Sequence, residues 1–151
     1  MLTYAARGDD RFTLYTVDVT GDKITPLYTT EKVHDHIFWI GTACWMSTGH
    51  VIEFLLHSRR GNENQPPILY TIDMDGDHLQ PLFNFPGLEN AWFGACSPDG
   101  EELVLTIPGN TKVEENGIYL INRNTGYVRQ ILSHFFVSNV RTPYVMKPNK
   151  E

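Results

Sequence analysis

The feature that most restricts how this chain folds is that it repeats itself. Leu14-Tyr15-Thr16-Val17-Asp18 returns as Leu69-Tyr70-Thr71-Ile72-Asp73, and more loosely as Ile118-Tyr119-Leu120-Ile121-Asn122, at intervals of 55 and 49 residues. Each copy leads into a polar turn holding a glycine (Gly21, Gly76 or Gly126) and then into a second apolar run. A second landmark keeps the same rhythm: Trp45-Met46-Ser47-Thr48-Gly49, Cys96-Ser97-Pro98-Asp99-Gly100 and Met146-Lys147-Pro148-Asn149 stand 51 and 50 residues apart. Two unrelated landmarks with one shared period mark a repeat architecture, in which each unit buries its apolar face only by stacking on the next.

The units are built of strands. Alternating β-branched and aromatic residues around a tight glycine turn specify hairpins, because a period of two puts one face inward and the turn needs a residue that tolerates positive φ. No segment carries a sustained 3.6-residue apolar pattern with caps, so almost no helix is expected. Strands are predicted over 2–6, 12–18 and 23–29, then 42–46, 50–57, 68–74 and 78–84, then 92–97, 102–107, 117–122 and 127–132, with one more over 142–146.

The order of these pieces resembles a known family. A Ser-Pro-Asp-Gly turn, a strand, a variable loop and an apolar-Tyr-x-apolar-Asp strand closed by a Gly turn are similar to the TolB-type, WD40-like β-propeller repeat. The motif is complete at Ser97-Pro98-Asp99-Gly100 and at Leu69-Tyr70-Thr71-Ile72-Asp73-Met74-Asp75-Gly76, is degraded at Ser47-Thr48-Gly49, and stops at Lys147-Pro148-Asn149. The resemblance spans nearly all of 1–151. It implies one all-β propeller repeat domain of three four-stranded antiparallel blade equivalents, with repeats at about 1–41, 42–91 and 92–141 and residues 142–151 opening a further blade. A closed propeller typically has four to eight blades. Three therefore imply a partial ring belonging to a larger propeller, the favoured reading, or a homodimer in which two copies close a six-bladed ring. An unclosed arc leaves sheet faces and strand edges exposed.

Composition narrows the partners. Eighteen acidic against twelve basic residues give a net charge of −6, which argues against nucleic acid or an anionic membrane surface as a broad electrostatic partner. No apolar run approaches the roughly 20 residues of a membrane-spanning helix, so no membrane insertion is expected. The start, MLTYAARGDD, has no signal-peptide pattern. As written the chain reads as cytoplasmic, and a periplasmic location fits if it is a fragment. Cys44 and Cys96 fall near equivalent positions of adjacent repeats, where cysteine serves as a small buried hydrophobe, so no disulfide between them is expected.

Strand alternation puts the predicted long connections, 7–11, 30–41, 58–67, 85–91, 108–116 and 133–141, on one side, and binding residues concentrate on such loops. The candidate ligand-binding residues there are His34, His36, Trp39, Asn90, Trp92, His134 and Arg141. In an extended stretch His34 and His36 point the same way, which makes them weak candidates for a divalent metal; a solvated loop is the simpler account. Aromatics before each inner strand read first as packing between blades and second as a sugar or peptide platform. Asp73-Met74-Asp75-Gly76-Asp77 lacks the length and closing Glu of a calcium loop.

No catalytic residues and no cofactor are assigned: G-x-S-x-G, H-E-x-x-H, Walker and G-x-G-x-x-G patterns are all missing from the sequence. The resemblance implies a non-catalytic binding or assembly module for a protein, peptide or glycan. The alternative it implies is the propeller part of an enzyme, either a substrate-gating domain of a prolyl-oligopeptidase-like serine hydrolase or a polysaccharide-lyase-type propeller.

Overall fold

The computed structural model describes residues 1–8, 10–107 and 116–133, and every regular element among them is a strand. Strands β1 (Leu2–Gly8), β2 (Arg11–Val17) and β3 (Ile24–Thr29) form a first antiparallel sheet. Strands β4 (His36–Trp45), β5 (Val51–Arg60), β6 (Glu63–Asp73) and β7 (Gln80–Asn84) form a second. Strands β8 (Trp92–Cys96), β9 (Glu102–Ile107), β10 (Gly117–Asn122) and β11 (Val128–Ser133) form a third. Each sheet runs in chain order, and the all-β expectation holds. The strand expected over 142–146 lies outside the described residues.

The sequence repeat becomes a repeat of backbone defects. The ladder slips between Leu14 and Tyr15, between Leu69 and Tyr70, and between Ile118 and Tyr119, each time leaving one extra residue on the following strand: Leu27, Leu82 and Ile131. A bulge of this kind sharpens the local twist of the sheet, so the three sheets bend at the same place for the same reason. Their turns repeat too. The Gly21, Gly76 and Gly126 amides bond back to the carbonyls of Asp18, Asp73 and Asn122 at 3.2, 3.0 and 2.8 Å. All three glycines have positive φ, a region that costs a side-chain-bearing residue.

Packing follows from strand parity. On β5 Ile52, Phe54 and Leu56 join Leu14 and Leu27 of the first sheet in one core, while Leu55 joins Leu103, Leu105 and Ile121 of the third sheet in another. The second sheet is therefore covered on both faces, which is why β5 is buried without interruption from Ile52 to His57. A half-covered strand would alternate instead. The first strand of the second sheet, β4, lies against β1 and β2 on one side and β8 on the other. Turns lock the stack: a Cβ at Gly126 would stand 2.7 Å from the Phe83 ring, and one at Gly76 3.2 Å from the Leu27 carbonyl oxygen.

Two expectations are corrected here. The connections 30–41 and 58–67 are largely strand: β4 begins at His36, and β5 and β6 stay paired out to Arg60 and Glu63 around Gly61-Asn62. The ends of β5 and β6 are polar because they run past the packed cores, and ladder hydrogen bonds hold them; the added start of β4, Ile37-Phe38-Trp39-Ile40, is apolar, with Ile40 buried in the core shared with the first sheet. Pro66 and Pro67, which cannot donate to a ladder, sit where the β5–β6 register shifts between Leu56 and Ser58. Likewise β1 and β2 stay paired out to Gly8 and Arg11.

The second correction concerns the cysteines. Cys44 and Cys96 are joined by a disulfide with Cα atoms 6.2 Å apart, linking the second sheet to the third. The expectation failed by one residue. Trp45 pairs with Ile52 as Cys96 pairs with Leu103, so Trp45 holds the position of Cys96, and Cys44 is one step off. One step along a strand turns a side chain to the other face. Cys44 thus faces the third sheet while Cys96 faces the second.

Candidate functional site

The end of the second sheet that carries the β5–β6 hairpin collects most of the described candidate residues. His36 opens β4 opposite Arg60, and its ring stacks on Phe38 with centroids 5.8 Å apart. His34 does not share its direction through an extended stretch, as the sequence suggested. His34 and Asp35 form a turn between Val33 and His36, and Asp35 has φ 64°. The Asp35 carbonyl accepts from the Gly61 amide at 3.0 Å, tying this turn to the hairpin tip. His34 is 93% exposed and its Nδ1 lies 3.1 Å from the Asp35 carboxylate. Among the described residues no group of three or more His, Cys, Asp or Glu side chains is placed to hold a metal ion.

Trp39 has the most constrained environment of the set. It stands opposite His57 in the β4–β5 ladder, and the two rings stack almost parallel, 5.2 Å apart at 3°. His57 is buried, and burial pulls its pKa down to about 4, so the ring is neutral at physiological pH. Gly41 makes room for it: a Cβ there would lie 3.1 Å from His57 Nε2. A half-buried tryptophan on a buried neutral imidazole is a fixed aromatic surface.

Asn90 is held from the neighbouring hairpin, its Oδ1 accepting from Asn64 Nδ2 at 2.8 Å. This bond fastens the segment before β8 to the start of β6. Trp92 opens β8 and is 65% exposed. His134 and Arg141 lie outside the described residues. Two clefts of about 210 and 220 Å³ lie elsewhere. One is lined by Thr16, Asp18, Lys23 and Met74, the other by Phe85, Leu88, Gly126 and Val128.

Sequence reasoning passed over two buried polar groups of β5, His57 and Glu53. Glu53 is fully buried opposite Cys44, on the face that meets the third sheet. Its Oε1 accepts from Arg123 Nε, and its Oε2 has no partner. Burial pushes its pKa up, and the bond to Arg123 and that cation's charge oppose the shift. The signal available in the sequence was the run Val51-Ile52-Glu53-Phe54-Leu55-Leu56-His57, whose polar members sit inside an apolar strand. Glu53 and His57 are four strand positions apart, about 13 Å, too far for a shared proton.

Comparison of the chain with family models, curated proteins and solved structures finds no match.

Proposed function

We propose that the chain is a segment of β-propeller architecture that acts as a non-catalytic binding or assembly scaffold for a protein, peptide or glycan. The three stacked meanders, with bulges and glycine turns at matching positions, support the architecture. The observation that carries the binding reading is the surface of Trp39 and Asn90. There an aromatic fixed on buried His57 and an amide fixed by Asn64 stand on a strand and a short connection. Groups already immobilised lose little conformational entropy when a partner docks, and indole faces with amides suit sugar rings and extended peptides. The Cys44–Cys96 bridge supports an oxidising compartment as the working location in this reading.

The test is a screen of the purified full chain against glycan and peptide arrays, repeated with Trp39→Ala after its circular dichroism spectrum is matched to the wild type. Binding that falls at least tenfold in the variant is the expected result. An array with no ligand, or ligands held equally well by the variant, overturns the reading.

A further inference from the structure

We propose that two copies of this chain close head to tail, the outer face of the first sheet of one copy docking on the far face of the third sheet of the other. The inference rests on the propeller reading for the shape of the closed pair, and on the packing inside the chain for the contact itself.

That contact is already made twice within one chain. In the first sheet Leu14 and Tyr28, paired across β2 and β3, pack on the second sheet. In the second sheet Leu69 and Phe83, paired across β6 and β7, pack on the third. The equivalent pair in the third sheet is Ile118 and Leu132, and Leu132 is left 48% exposed. The complementary face shows the same vacancy. Ile72 of the second sheet and Ile121 of the third are 1% and 0% exposed against the sheets before them. Their counterpart in the first sheet is Val17, whose partner Ile24 is 55% exposed.

Among the described residues, one chain therefore carries one uncovered face of each kind that its own sheets join. The outer face of the first sheet is uncharged along the pairs Leu2–Val17, Tyr4–Tyr15 and Ala6–Thr13, and the two tyrosine rings stack at 5.2 Å. The far face of the third sheet offers Trp92, Val104 and Leu120, with Arg129 opposite Leu120 as a charge on its outer strand. Contiguous exposed apolar faces mark interaction surfaces. The contact joins unlike faces, so it is heterologous and either closes or polymerises. Two copies of three sheets give six, within the range that closes around an axis. Closure covers all four faces, whereas an open chain of copies always leaves two bare.

Light scattering on the full chain should give about twice its mass of 17.3 kDa. Ile24→Asp and Leu132→Asp, on strands at the outer side of their sheets, should each weaken the dimer at least tenfold with an unchanged circular dichroism spectrum. Mixing the two variants should restore part of the dimer, because one of its two contacts is then free of either substitution. A wild-type monomer, an open polymer, a dimer indifferent to both substitutions, or a mixture no better than either variant overturns the proposal. A monomer that still binds its array ligand through Trp39 removes the closure and leaves the binding reading standing; a dimer without any ligand does the reverse.

Discussion

Cys44 and Cys96 stand 52 residues apart, one residue more than the interval between Trp45 and Cys96, and that single residue lets them meet. At equivalent positions both thiols would face the preceding sheet, and no bond would form. The offset instead turns them toward each other across the interface between the second and third sheets.

The bridge should therefore be measurable in the purified protein. Intact mass should rise by the two hydrogens of reduction only after treatment with a dithiol, and the unreduced chain should offer no titratable thiol. Closing a loop of this length is worth about 4 kcal/mol by loop entropy. Cys44→Ser should lower stability by up to that amount, read from the urea midpoint. Two free thiols in protein never exposed to reductant would contradict the assignment.

Acid should weaken the fold through His57. The folded pKa is depressed to about 4, below an ordinary value near 6.5, so the unfolded chain takes up this proton first as pH falls. The stability that neutral His57 contributes is complete above pH 6.5 and is lost between there and pH 4, on the order of 3 kcal/mol in all. His57→Phe should flatten that part of the stability curve. Equal slopes in the two proteins between pH 6.5 and 4 would show that His57 is not the group responsible.

Arg123 should matter more at high pH than at low. It is the cation bonded to the fully buried Glu53, and removing one member of a buried pair costs about 3–5 kcal/mol by leaving the other uncompensated. Arg123→Met should cost this much near pH 8. The loss should shrink toward pH 5, because burial favours the protonated carboxyl and a neutral Glu53 no longer needs a cation. Glu53→Gln in the same background should recover stability at pH 8. A pH-independent loss, or no recovery, would mean that Arg123 acts through packing alone.

Much of the architecture was legible because it is local. The Tyr15, Tyr70 and Tyr119 motifs and their glycine turns fixed where hairpins form, since period-two alternation and positive-φ turns are properties of a few adjacent residues. The lengths of β4, β5 and β6 were not legible. The ends of β5 and β6 are polar and past the cores, and only pairing with a neighbouring strand makes them strands; the start of β4 is a short apolar run, which periodicity alone does not assign. The candidate site was legible in part. Trp39, Asn90 and Trp92 were candidates by residue type and place in the repeat, but His57 beneath Trp39 and Asn64 beside Asn90 come from other strands.

The sequence by itself determined the repeat, the strand-only character and the meander order, because each follows from residue spacing along the chain. Only the tertiary structure decided which faces are covered, that Cys44 meets Cys96, and that Glu53 and Arg123, 70 residues apart, form a pair. Side-chain direction in a strand reverses at every residue, and each bulge resets the count. Contacts between sheets therefore depend on register, which is settled by packing and not by the order of the letters.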